Sequence, residues 1–325
     1  GAGGAAPDGR GVSPAGDSAE PVSETLIRGG TLAPMDGGPS LRRWDVLLAG
    51  RDIVWLGPAG KVPRKRVGVQ RERVDARDCL VLPGFVQAHV HLCQALFRGV
   101  ADDLPLMPWL SRRIWPLEAA HDPASLEASA EQAVVELLRG GTTCVLDMGT
   151  VHHQEVVFEV LDRAGLRGFS GKSMIDRGRG LPRGFRQGTR RCSRESESLA
   201  QRWHRHGGGR LGYAFAPRFV LSCSAGLLRD TADCAREMGA LLHTHVAEHA
   251  EERRLVRDAL GKDDLAYLAE HGLAGEDVVL AHGVQLRRAE LRAAARAGTR
   301  LVHCPATNLK LASGVADVVA MRSLG

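Results

Sequence analysis

From residue 84 onward, short apolar runs alternate with longer stretches in which apolar positions recur every three or four residues. The runs over 84–91, 142–148, 166–172, 210–216, 240–247, 277–282 and 299–304 read as strands, and the periodic stretches between them as helices. DPASLEASAEQAVVELLRGG shows the helical pattern plainly. It sets Leu126, Ala130, Val134, Leu137 and Leu138 on one face, with Asp122 as a cap, Pro123 in the first turn and Gly140-Gly141 as the stop. SRESESLAQRWHRH, AGLLRDTADCAREMG, EERRLVRDAL, DLAYLAEHG and RRAELRAAARAG predict further helices. Repeated strand–helix units imply parallel strands joined by right-handed crossovers. Seven strands can be counted, whereas a closed (β/α)8 barrel needs eight.

Residues 24–83 have a different grain. TLIRGGTLAPMDGG, WDVLLAGRDIVWLG and CLVLPG are short strand-like runs broken by Gly, Pro and Asp. Ahead of them, GAGGAAPDGRGVSPAGDSAE lacks the charged-then-apolar pattern of a secretion signal and reads as a disordered leader. The expected organisation is a leader over 1–22, a β-sandwich portion over 23–83 and a barrel over 84–325.

Composition narrows the function classes. Apolar residues make up 44% of the chain, yet no run approaches the roughly 18 residues of a membrane span. Seven cysteines, odd in number and never in CxxC spacing, suit reduced thiols in a cytoplasmic protein. The net charge of +5 comes largely from two Arg-rich stretches, 61–73 and 177–194. With only 4% aromatic residues there is no stacking platform for bases, so these stretches read as solvated loops and no nucleic-acid partner is expected.

Histidine placement carries the chemistry. Thirteen histidines scattered at random would give about 0.5 HxH pairs, and the chain has three. HRH (204–206) ends a polar helix and reads as chance. His89 and His91 close the first barrel strand on one face, and His243 and His245 do the same later, with Glu248 three residues on. His282 closes a strand of its own. Imidazoles gathered at C-terminal strand ends favour Zn²⁺ or Fe²⁺ over Mg²⁺ or Ca²⁺. A divalent cation makes hydroxide from its bound water near neutral pH, and a nearby carboxyl can shuttle protons to the leaving group. Glu248 is placed for the shuttle and His282 for orienting the water. His243 reads as supporting a ligand by hydrogen bonding.

The motifs PGFVQAHVH (83–91), LFRGVADDLPLMPWL (96–110), HVAE (245–248), LAHGVQL (280–286) and HCPATNLKLASG (303–314) resemble the amidohydrolase superfamily. The similar group contains methylthioadenosine/S-adenosylhomocysteine deaminases, guanine deaminases and triazine chlorohydrolases. The resemblance implies a distorted (β/α)8 TIM-type barrel with a small N-terminal β-sandwich portion. It implies one divalent metal, zinc with iron as the alternative, held by His89, His91 and His245. Glu248 and His282 match catalytic positions, and Gln94, Glu118, Arg218 and Phe219 match substrate-binding ones. The family's last ligand is an aspartate ending an eighth strand. It has no counterpart in these 325 residues, so the barrel is expected to be incomplete at the C-terminus and the chain alone nearly inactive.

The substrate clues divide. LFRGVADDLPLMPWL and Glu118 resemble deaminases of 5′-substituted adenosines, whereas Gln94 and Arg218-Phe219 resemble guanine deaminases. The expected activity is deamination of an aminopurine compound, most closely methylthioadenosine, S-adenosylhomocysteine or 5′-deoxyadenosine. Guanine deamination, triazine dechlorination, and an inactive fragment serving as a binding or scaffold protein stay open. The expected partner is a small purine or purine nucleoside, without membrane or nucleic acid, and self-association is left open.

Overall fold

A computed structural model describes residues 23–35, 41–65 and 67–325, so the leader expected over 1–22 lies outside the described residues. The chain divides into two compact units, one ending at Pro83 and the other running Gly84–Gly325.

In the first unit, β1 (Glu24–Arg28), β3 (Trp44–Ala49), β4 (Asp52–Pro58) and β5 (Arg71–Asp75) form one sheet in the order β4-β3-β1-β5. β2 (Thr31–Leu32) pairs with β6 (Leu80–Val81) in a separate parallel ribbon. The buried Asp45 carboxylate holds the turns around the sheet, accepting from the Gly29 and Gly60 amides at 2.9 and 3.1 Å.

The second unit is a parallel sheet curved most of the way into a barrel. Its strands are β7 (Phe85–Val90), β8 (Thr142–Met148), β9 (Arg167–Gly171), β10 (Ser173–Met174), β11 (Leu211–Pro217), β12 (Leu241–Val246), β13 (Val278–His282) and β14 (Arg300–Val302). The hydrogen-bonded order is β14-β13-β12-β11-β9-β8-β7, and the two-residue β10 lies against β11. Among the described residues β7 and β14 each have one strand neighbour. Leu146 of β8, Ala214 of β11 and Val279 of β13 pack with Phe169, Leu241 and Val302, so six strands meet inside the curve. Helices cover the outside through a larger apolar layer.

Local chemistry explains the helix boundaries. Asp122 accepts from the Ser125 amide at 2.8 Å while Ser125 Oγ accepts from the Asp122 amide, a reciprocal cap on the helix Pro123–Arg139. Its buried face is Leu126, Ala130, Ala133 and Val134, with Leu137 packed alongside. Leu126 is fully enclosed, and truncating it to alanine would cost about 2–5 kcal/mol. Leu138, expected on that face, is 46% exposed. It lies about 80° round the helix from Ala130, at the margin of the apolar stripe.

Two helical regions had no clear sequence signal. Leu106–Ala119 is helical with a π-type turn over Leu110–Ile114, although its prolines suggest a loop. The helix Gln154–Arg163 starts after His153 in a left-handed conformation with no side-chain cap. No helix among the described residues is long and apolar enough to cross a membrane.

Candidate metal and active site

The parallel sheet gathers its chemistry at the C-terminal strand ends, where successive strands deliver side chains to one place. β7 brings His89 and leads into His91, β12 brings His243 and His245, and β13 ends on His282. Pairing sets His245 opposite Ala281 and Val246 opposite His282, so both histidines reach the same mouth. There the ring-nitrogen ligand atoms of His89, His245 and His282 lie within 4.8 Å of one another. His91 Nε2 is 3.2 Å from His245 Nε2. These four rings line a cavity of about 290 Å³ together with Gln94, Trp109, Arg218, Phe219 and Glu248.

Hydrogen bonds fix which nitrogen of each ring is bare. His91 Nδ1 faces the Met148 carbonyl at 2.7 Å, and His245 Nδ1 faces the Arg218 carbonyl at 2.7 Å. A carbonyl only accepts, so both Nδ1 atoms carry the proton and both Nε2 atoms are lone pairs. His282 Nδ1 sits 2.8 Å from Asn308 Oδ1 in the same sense. Burial holds all of these rings well below ordinary histidine: His89 and His245 far down, His91 to about 3 and His282 to about 4. Neighbouring rings lower His89 and His245 further, and Arg218 does the same to His91. The rings are neutral at pH 7 and turn lone pairs toward one point, with His91 and His245 too close for two bare nitrogens to rest without a cation between them. This donor set fits a borderline-soft divalent metal.

Glu248 follows β12 beside this ring, its Oε2 3.5 Å from His282 Nε2. Burial, reinforced by the nearby Glu252 carboxyl, pushes its pKa up to about 8. It therefore holds a proton at neutral pH in a position to deliver it. The loop carrying Glu248 is gripped by buried acids absent from any sequence expectation. Asp264 Oδ2 accepts from the Ala247 amide at 2.7 Å, and Glu252 Oε2 accepts from the Glu248 and His249 amides at 2.9 and 3.3 Å. These bonds hold Ala247 at φ +48°, a left-handed conformation that costs a non-glycine residue about 1–2 kcal/mol.

The expected substrate residues divide between wall and support. Gln94, Arg218 and Phe219 line the cavity. Glu118, expected to contact substrate, does not reach it. Its carboxylate is buried and takes both Arg218 Nη atoms at 2.7 and 3.0 Å and Gln94 Nε2 at 2.7 Å. Burial works against the Arg218 charge, and Glu118 outweighs it, holding the guanidinium above its ordinary pKa. As it stands, Glu118 orients two wall residues rather than presenting an oxygen to the cavity.

Some further site residues lie within motifs that the sequence itself singles out. Asn308 lies in HCPATNLKLASG, and its task is to fix His282. Leu106, Trp109 and Leu110 belong to the quoted LFRGVADDLPLMPWL stretch and form an apolar wall. Glu252 and Asp264 had no signal, because acids on helices ordinarily face solvent.

The amidohydrolase family model matches residues 80–323. Several curated relatives named 5-methylthioadenosine/S-adenosylhomocysteine deaminase are similar to it. The Pelotomaculum thermopropionicum protein is 32% identical over 94% of this chain and 68% of its own length. Those of Halobacterium salinarum and Thermococcus kodakarensis are 38% and 36% identical, each over 78% of this chain. The chain spans 57% and 58% of those two relatives' lengths. Among solved structures, Escherichia coli guanine deaminase superposes with a TM-score of 0.81 at 26% identity, covering 92% of this chain and 72% of that one. An Arthrobacter aurescens atrazine chlorohydrolase complexed with zinc shares the fold, with a TM-score of 0.84 at 24% identity over 93% of this chain and 70% of that one. With a family model over most of its length and these relatives beside it, the chain belongs to the amidohydrolase family.

Proposed function

We propose that this chain carries the catalytic face of a metal-dependent aminohydrolase acting on an aminopurine compound, a 5′-substituted adenosine such as methylthioadenosine or S-adenosylhomocysteine. The observation that carries the reading is the ring of neutral imidazoles with bare nitrogens turned to one point beside a protonated carboxyl. The names of the curated relatives support the substrate class. His89, His91 and His245 would hold the metal, zinc being favoured by the all-nitrogen set and by the zinc-complexed structural neighbour. When bound, a divalent cation would lower the pKa of a water and supply the nucleophile.

The chain's own residues do the rest. Glu248 Oε2 donates its proton to the ring nitrogen beside the attacked carbon, then takes up the proton of the new C–OH as the carbonyl forms and passes it to the departing amine, as an acid whose pKa sits near working pH. His282, anchored by Asn308, turns its bare Nε2 toward the nucleophile and orients it by accepting a hydrogen bond. Gln94 and Arg218 address the polar edge of the base, Phe219 and Trp109 cover its faces, and Glu118 keeps Gln94 and Arg218 in place. A second reading, guanine deamination, is favoured by one observation: Gln94, Arg218 and Phe219 all reach the cavity while Glu118 does not.

The test follows ammonia release from methylthioadenosine, S-adenosylhomocysteine, 5′-deoxyadenosine and guanine in the presence of Zn²⁺. Release from an adenosine compound supports the first reading and from guanine alone the second. Because the chain alone is expected to be nearly inactive, the assay uses a version extended through the family's eighth strand and its aspartate, and metal-loaded protein of that form that turns over none of them counts against both. Glu248→Gln should lower turnover by about 10²–10⁴-fold and leave zinc content near that of the parent. Full activity in that variant would remove Glu248 from the proton path.

A further inference from the structure

His243 is fully buried and shares a strand face with His245, yet both of its ring nitrogens are spoken for. Its Nδ1 lies 2.9 Å from the Val279 carbonyl, and its Nε2 lies 2.8 Å from Nδ1 of His89. Neither nitrogen is left for a cation.

The direction of this chain of hydrogen bonds is decided at its far end. The Val279 carbonyl can only accept, so the proton of the neutral His243 ring sits on Nδ1 and its Nε2 is an acceptor. His89 must then donate through Nδ1, which leaves its own Nε2 bare. The reverse arrangement would place two lone pairs against each other at Val279.

His89 differs in this from its neighbours. His91, His245 and His282 each give their Nδ1 proton to an oxygen that has no tautomers: two carbonyls and the side-chain oxygen of Asn308. His89 alone gives its proton to another imidazole, whose tautomer is set one residue further out. We infer that His243 is a positioning residue, relaying the fixed polarity of the Val279 carbonyl to His89 and holding bare the His89 nitrogen that faces the cation site. Without an acceptor at position 243, the His89 proton is free to sit on Nε2, where it would point into the site and repel a metal. The inference rests on the reading of this ring as a cation site.

Two measurements test it, both without turnover. The first is zinc affinity, by competition with a fluorescent chelator. His243→Leu should bind zinc about 10- to 100-fold more weakly than the parent, while His243→Gln, which restores an acceptor oxygen, should stay within about threefold. The second is the ring-nitrogen spectrum of ¹⁵N-histidine-labelled, metal-free protein, assigned at His89 by comparison with His89→Asn. The parent should show the proton on Nδ1, and His243→Leu should shift it wholly or partly to Nε2. Should His243→Leu fail to fold, the parent spectrum and the glutamine variant carry the test.

Parent-like zinc affinity in His243→Leu would overturn the relay, as would an Nε2 proton on His89 in the metal-free parent. Equal losses in the leucine and glutamine variants, each with a parent-like melting temperature, would overturn it too, since the acceptor would then be irrelevant. If the parent itself takes up no zinc, the reading of the site falls, and the relay is still judged by where the His89 proton lies.

Discussion

Glu118 and Arg218 are 1% and 2% exposed, carry opposite charges, and are joined by two hydrogen bonds with Gln94 adding a third. Of the imidazoles beside them, His282 is buried and His89, His91 and His245 are half-buried, and all are neutral at pH 7. Each turns one nitrogen to a hydrogen-bond partner within the protein and the other toward a point shared with its neighbours. The first cluster is complete within the protein, whereas the second becomes complete only when something is added. Ring nitrogens that converge on one point at the wall of a cavity are evidence for a ligand, while a satisfied buried pair is evidence for architecture. That contrast separates the Glu118–Arg218 pair from the imidazoles, and within the pair it is Arg218 that also lines the cavity.

Breaking the closed cluster should have the largest effect. Arg218→Met leaves Glu118 buried and uncompensated and should cost about 3–5 kcal/mol in urea unfolding. Adding Glu118→Leu to that variant should restore most of the loss. A single substitution costing under about 1 kcal/mol would show that the pair does not hold this wall in place. Completing the open cluster comes next: zinc at a hundred times its dissociation constant should stabilise the chain by about 2.7 kcal/mol, reversibly with a chelator. A melting temperature indifferent to zinc would show that the imidazole ring is as closed as the ion pair.

A third cluster sharpens the comparison from the rim. Asp263 is bonded by Arg253, Arg257 and Arg287. Burial disfavours its charge, but the Arg253 and Arg257 hydrogen bonds outweigh this and hold its pKa at about 2, below the ordinary 3.8. A carboxylate depressed in the folded state adds stability above its ordinary pKa and loses it as pH falls toward the folded value. Asp263→Asn should therefore flatten the loss of stability between pH 3.8 and about 2. An unchanged acid limb would show that these guanidiniums do little. The smallest effect belongs to a site outside all three clusters. Asp122→Ala removes the cap of Pro123–Arg139 and should cost about 1 kcal/mol, with no change in zinc affinity.

The alternation of strand and helix was legible from residue 84 onward because each element buries one face, and periodicity reports that directly. The predicted strand ends came within about two residues of the observed ones, as expected where fraying and caps decide the last residue. The helix Gln154–Arg163 was missed because its start has no cap to read, although Val157, Phe158, Val160 and Leu161 are all buried. Leu106–Ala119 was missed because Pro105, Pro108 and Pro116 look like breaks. Pro105 precedes the first helical residue, where proline is tolerated, and Pro116 follows just after the π-type turn. In the site, HxH spacing and the Glu three residues after His245 were visible because strand geometry makes them so. The Glu118–Arg218 pair, 100 residues apart, and the acids gripping the Glu248 loop come from tertiary packing that no local pattern records.

Ala247 has a consequence of its own. Glycine would occupy its left-handed conformation with less strain, yet the chain has a methyl group there, pinned by Asp264 from below and by the Gln285 amide on its carbonyl. A β-carbon at a bend narrows the angles through which the following residue can swing. Glu248 thus leaves the strand on a nearly fixed heading, and Ala247→Gly would relax the bend while letting the acid's aim wander.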